Sequence, residues 1–178
     1  MMIEVTVARL GFDASSNSYV VILQEGDGSR VLPIWIGKPE AESIKMQMDG
    51  MVRERPLTHD LCKSLIVGLG GLLRRVQITK VQNSTYFAEL HLQRGDSVVQ
   101  VDARPSDSIA IALRLGAPIY VRDSLLISVV EASDEEDADD VLEGEGEEPL
   151  PSTEDLSAEQ LKHYLENLRP EDFGKFSL

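Results

Sequence analysis

Residues 97–116 read SVVQVDARPSDSIAIALRLG, and where this stretch divides decides the fold. Its first seven residues, SVVQVDA, are rich in valine and read as a strand. Pro105 then suits a first helical position and Gly116 a helix stop. Between them Ile109, Ala110, Ile111, Ala112, Leu113 and Leu115 leave few polar faces, so the helix should be well buried. The same unit occurs upstream. RVLPIWI (30–36) reads as a strand, Pro39 opens the helix PEAESIKMQMDG, and Gly50 closes it. The proline-to-glycine spacing is 11 residues in both helices.

Two further strands precede each unit, IEVTVARL and SYVVILQ in the first half, RRVQITKVQ and TYFAELHLQ in the second. Tyr19 and Tyr86 open matching strands. The pattern predicts two β-β-β-α pseudo-repeats, with an extra helix from Pro56 to about Gly68 after the first. The competing explanation is chance likeness between two amphipathic hairpin-plus-helix units. Short connections favour hairpins, so the expected class is α+β: a compact, mixed, largely antiparallel sheet with helices. Met46, Met48 and Met51 are expected in the core or an interface. Trp35 is expected as a buried aromatic or a subunit contact.

The net charge of −14 is unevenly placed. Residues 1–130 carry 14 basic and 14 acidic side chains and are neutral, while 131–178 carry 3 and 17 and hold the whole imbalance. The first segment therefore reads as a charge-mixed domain that neither demands nor excludes a polyanion. Residues 131–155, with 13 acidic and no basic side chains, read as a disordered acidic linker. Residues 156–178 carry a short C-terminal helix and tail: Ser157 and Gln160 fit a capping box, and Leu161, Tyr164, Leu165 and Leu168 form an apolar stripe. That helix is expected to dock on the domain or on a neighbouring subunit, or to stay mobile. Cys62 stands alone, which leaves no intramolecular disulfide and no cysteine-based zinc site. No apolar run reaches membrane-spanning length, and MMIEVTVARL lacks the features of a signal peptide. A cytoplasmic location without membrane association is expected.

Three dipeptides repeat a motif: Lys38-Pro39, Arg55-Pro56 and Arg104-Pro105 each place a cation before a helix-opening proline. Acids follow each, Glu40 and Glu42, Asp60, and Asp107. Helix-start chemistry explains the prolines and acids, with Thr58 and Ser106 satisfying free N–H groups. It does not explain the cations, which oppose the helix dipole but suit a bound phosphate. If the motifs meet in space, Asp60, Asp102 and Asp107, with Glu40, offer oxygen ligands for a hard divalent ion, and His59 a general base or a further ligand. Caps and salt bridges are the alternative. His91 reads as a strand-face residue and His163 as a solvated one. There is no Walker loop, G-x-S-x-G or dinucleotide fingerprint, and GLGG at 68–71 reads as a helix stop and turn. An aromatic content of 5% argues against a base-stacking module.

Taken in order, LPIWIGKPEAESI, RPLTHDL and VDARPSDSIAIALR resemble the bifunctional nuclease domain family of bacteria and plants, over about residues 1–130. PEDFGKF is similar to the ending of many bacterial members. The resemblance implies a compact α+β protein that self-associates as a homo-oligomer, with activity on DNA and RNA. It places the family's hallmark residues at Glu40, Arg55, His59, Asp60, Asp102, Arg104, Ser106 and Asp107; Ser108 departs from the more usual alanine. The expected mechanism is metal-dependent hydrolysis of DNA and RNA with low sequence specificity. Asp60, Asp102 and Asp107 would hold Mg²⁺ or Mn²⁺, and His59 would deprotonate water. Arg55 and Arg104, with Lys38 and Ser106, would bind phosphate. The rival expectation is a non-catalytic oligomeric interaction or regulatory protein, whose Arg–Asp sets are structural.

Overall fold

In a computed structural model of the chain, residues 1–14 and 16–128 are described; the acidic linker and the C-terminal helix with His163 lie outside them. The first half folds as β1 (Met2–Asp13), β2 (Ser18–Glu25) and β3 (Arg30–Ile36), followed by α1 (Lys38–Met48). After α2 (Thr58–Gly68) the second half repeats the order: β4 (Leu72–Gln82), β5 (Thr85–Arg94), β6 (Ser97–Ala103) and α3 (Pro105–Leu115). Each set of three strands is an antiparallel meander. In the second set, positive φ angles at Asn83 and Ser84 form the two-residue turn that matches strand twist.

Three elements were not expected from the sequence. β7 (Ile119–Arg122) lies at the centre of the sheet, antiparallel to β1 and parallel to β4, and joins the two meanders. A 3₁₀ turn (Asp123–Leu125) leads to the two-residue β8 (Ile127–Ser128) beside β3. Among the described residues the sheet is eight-stranded and mixed, mostly antiparallel, in the order β6-β5-β4-β7-β1-β2-β3-β8. β7 is only four residues long, too short for a periodic signal, and its place is set by packing.

Period-2 alternation turns Val5, Val21, Leu23, Ile34, Val76, Ile78 and Val121 toward one face, where they meet Ile44 of α1 and Ile109–Ala112 of α3 in the main core. α3 packs against β4, β5 and both other helices, and Ile109, Ala110 and Ala112 are fully buried, as its apolar sequence predicts. Each buried isoleucine contributes about 2 kcal/mol through the area it withdraws from water. The opposite face carries a smaller cluster of Val20, Ile22 and Val31, with Ile127 against it.

Gly116 closes α3 in the left-handed conformation (φ 62°), with Ala117 N–H donating to Ala112 O (3.0 Å). Several expectations need correction. α2 begins at Thr58 with Leu57 as its N-cap, so Pro56 stands ahead of the helix and does not open it. Trp35 is 47% exposed, with its indole N–H donating to Asp13 (3.1 Å), which removes the buried alternative and leaves that of a subunit contact. Met48 and Met51 are exposed, which removes the core alternative for them and leaves that of an interface.

Candidate active site

The three helix starts converge at one end of the helical layer. In α3, Arg104 is the N-cap and Asp107 sits one turn in, where a carboxylate favours the positive helix end. Arg104 grips Asp107 with two hydrogen bonds, Nε to Oδ2 (2.7 Å) and Nη2 to Oδ1 (3.0 Å). Its Nη1 also reaches Glu40 of α1 (2.9 Å). Glu40 lies close over Gly37, where a Cβ would collide with its carboxylate, so the glycine leaves room for the approach. Arg104 itself is largely solvent-facing (65%), and Asp107 is partly so (28%).

Behind them lies His59, near the start of α2 and 9% exposed. Its Nε2 is 3.0 Å from Asp107 Oδ1 and its Nδ1 is 2.8 Å from the hydroxyl of Ser43. Both ring nitrogens are thus engaged. Ser43 follows Glu40 by three residues on α1, which puts the two on one helix face. The resulting line Ser43–His59–Asp107–Arg104 crosses all three helices, from a buried hydroxyl to an exposed guanidinium.

Asp60 belongs to a neighbouring tie. Its Oδ1 takes Arg114 Nε (2.6 Å), and its Oδ2 accepts the Leu57 backbone N–H (2.9 Å). Arg114 is buried, and also donates to Ala110 O (3.0 Å) and, across to α1, to Ser43 O (3.3 Å). All three helices are therefore fastened by one guanidinium. Asp107 and Arg114 are seven residues apart on α3, two turns, so one face presents the first to His59 and the second to Asp60.

The electrostatics follow these contacts. The hydrogen bond from Arg114, then that from the Leu57 amide, holds the Asp60 carboxyl below its ordinary value. Burial pushes Asp107 up, but hydrogen bonds from Arg104 and His59 outweigh it and leave the net shift downward. The Asp107 contact in turn raises Arg104.

Other expected residues stand elsewhere. Asp102 is exposed on β6 opposite Glu89, and alternation aims it to the face away from Ala103 and the helices. Ser106 is 7% exposed, beneath the surface. Lys38 and Arg55 are exposed, and neither forms an ion pair among the described residues. His91 is buried on β5, 3.4 Å from Glu89. No group of three or more His, Cys, Asp or Glu side chains at metal-holding distance occurs among the described residues. Asp60 and Asp107 are instead each held by an arginine. Ser43 and Arg114 are the participants that sequence reading missed. Arg114 left a signal, a lone charge within the apolar run IAIALRL; Ser43 left only its helical spacing from Glu40.

A sequence model of the bifunctional nuclease domain matches residues 21–135. The chain belongs to the bifunctional nuclease domain family. It is 40% identical over 174 residues to an uncharacterized protein of Mycobacterium tuberculosis, covering 96% of this chain and 97% of that one. It is 32% identical over 115 residues to bifunctional nuclease 2 of Arabidopsis thaliana and 27% over 111 residues to bifunctional nuclease 1 of Oryza sativa subsp. japonica. Those matches cover 63% and 60% of this chain, but only 35% and 34% of the plant proteins.

Proposed function

We propose that the chain hydrolyses phosphodiester bonds of DNA and RNA with low sequence specificity at the cluster around Arg104, Asp107 and His59. The observation that carries this reading is the exposed guanidinium of Arg104, shared by Glu40 and Asp107. A phosphodiester offers that guanidinium the same forked acceptor geometry as a carboxylate. As Arg104 turns to the phosphate, Asp107 loses the contact that most depresses its pKa and becomes a stronger base. His59 keeps the carboxylate in place through Nε2, and Ser43 fixes the ring from the other side. Asp107 then takes a proton from water as the water oxygen bonds to phosphorus. The P–O bond to the leaving group breaks, and the departing oxygen takes a proton from solvent. Lys38 and Arg55 hold flanking phosphates. The role first expected of His59, direct deprotonation of water, passes to Asp107, because both imidazole nitrogens are occupied.

A Mg²⁺ or Mn²⁺ requirement is part of this proposal. The residue that would hold the ion is Glu40, released when Arg104 moves to phosphate, while Asp107 stays with His59 as the base; one or two carboxylates together with substrate phosphates suit these ions. Bound there, the ion would neutralise phosphate charge and acidify water. Asp60 is committed to Arg114 and the Leu57 amide, and Asp102 to the far face, so neither is assigned to it.

A second reading is favoured by the ion pairs themselves. With both His59 nitrogens and both Asp60 oxygens engaged, the network also suits a structural clasp in a non-catalytic interaction protein. Cleavage of labelled DNA and RNA by highly purified protein, with and without chelator and beside Arg104→Gln, separates the two. The nuclease reading expects metal-dependent cleavage that falls at least about 10²-fold in the variant. Absence of cleavage with any divalent ion, or full activity in folded Arg104→Gln, refutes it.

A further inference from the structure

Gly37 is the N-cap of α1, with φ −72° and ψ 158°, an extended backbone that any residue adopts. Its dihedral angles therefore give no reason for glycine. Capping gives none either, because serine, threonine, aspartate or asparagine would supply the side-chain cap that Gly37 lacks. The other two helix starts accept bulky N-caps, Leu57 and Arg104. What sets Gly37 apart is the group in front of it. A Cβ built there would overlap Glu40 Oε2, and its nearest neighbours all belong to Glu40 and Pro39. The second oxygen of the same carboxylate, Oε1, takes Arg104 Nη1 at 2.9 Å. Glu40 thus rests one oxygen over Gly37 and holds Arg104 with the other. Its side chain is 16% exposed, whereas that of Arg104 is 65% exposed.

We propose that Gly37 is a positioning residue of this site: its missing Cβ seats Glu40 on Arg104, and Glu40 so seated competes with phosphate for the guanidinium. The inference rests on the reading of Arg104 as the phosphate-binding group. Asp107 takes Nε and Nη2 of that guanidinium, and Glu40 takes Nη1. A phosphodiester that reaches Arg104 displaces Glu40 as well as Asp107, so the hold of Glu40 sets part of the affinity. A methyl group at position 37 meets the flexible end of the Glu40 side chain and not backbone, so it shifts the carboxylate while α1 stays intact. Asp107, His59 and Arg104 keep their own contacts. Gly37→Ala is therefore expected to loosen the Glu40–Arg104 pair and leave the rest of the site in place.

Two measurements on the full chain test this. Thermal unfolding midpoints are taken for the unchanged protein, Gly37→Ala, Glu40→Ala and the double variant. The cost of replacing an N-cap glycine is common to both backgrounds and cancels, which leaves the displacement of Glu40. The midpoint change caused by Gly37→Ala is expected to be less favourable by about 2 °C when Glu40 is present than in Glu40→Ala. Equal changes in the two backgrounds overturn the proposal. Binding of a labelled single-stranded DNA oligonucleotide, followed by fluorescence anisotropy in chelator, reads the competition. Gly37→Ala is expected to bind about 2- to 5-fold more tightly than the unchanged protein, the range of an exposed ion pair, and adding Arg104→Gln is expected to abolish the gain. Unchanged or weaker binding by Gly37→Ala overturns the competition while leaving the nuclease reading standing. No binding by either protein overturns both together.

Discussion

His59 and Asp107, 48 positions apart in the chain, meet with Nε2 and Oδ1 3.0 Å apart. The contact joins the start of α2 to the start of α3 and brings RPLTHDL and DARPSD into one cluster. Ser43 and Glu40 draw in the α1 start as well. Capping alone gives no reason for three helix starts to converge in this way.

The Asp60–Arg114 tie is expected to be a stability element. Removing one partner of a buried pair leaves the other uncompensated, a loss of about 3–5 kcal/mol at the upper end of such effects. Asp60 is partly exposed, so Asp60→Ala is expected to cost about 2–3 kcal/mol and Arg114→Ala more, because its guanidinium serves all three helices. Urea unfolding midpoints check this. A midpoint unchanged in Arg114→Ala would remove the clasp from the description.

Acid should act through the same carboxylates. Asp60 and Asp107 have folded pKa values below their ordinary ones. Their stabilising contribution is therefore complete above the unfolded carboxyl pKa of about 3.9, and is lost as pH falls through the lower folded values. Asp27 and Asp123 shift the same way. Unfolding followed between pH 7 and pH 2 should be nearly flat above pH 5 and fall steeply below pH 4. Asp60→Asn should reduce that fall without abolishing it.

Ser108 is fully buried, and its hydroxyl has no hydrogen-bond partner among the described residues. Removing an unsatisfied buried hydroxyl relieves its desolvation penalty. Ser108→Ala is expected to raise stability by about 1 kcal/mol, with cleavage activity unchanged. Thermal unfolding of the two proteins measures this directly, and a destabilised variant would contradict it.

Nucleic-acid affinity should depend on few cations. Three phosphate contacts, from Lys38, Arg55 and Arg104, correspond to a slope of log K against log salt of about −3 on duplex DNA. Arg55→Gln should make that slope shallower by about one. A slope near zero, or one insensitive to Arg55, would move the binding surface elsewhere.

Much of this was legible in residues that punctuate the chain. Pro39, Gly50, Pro105 and Gly116 mark two helices, and alternating apolar residues mark six strands. Both signals are local. What escaped was set by tertiary packing: β7 is too short for periodicity, and Pro56 sits two residues before its helix. Within the site, His59, Asp107, Arg104 and Glu40 announced themselves as charge or imidazole near helix starts. Ser43 did not, because its role comes from facing His59 across two helices. Asp102 misled for the opposite reason. Nearness in sequence to Arg104 suggested a shared site, but strand alternation turns it to the other face.

The most direct measurement is cleavage of labelled single-stranded DNA and RNA by Asp107→Asn, with its fold checked by circular dichroism. Asparagine keeps the shape and can still accept from His59, but it can neither take a proton from water nor hold charge against Arg104. The expected result is intact folding with cleavage at least about 10²-fold below the unchanged protein. Full activity in folded Asp107→Asn would contradict the assignment of hydrolysis to this cluster.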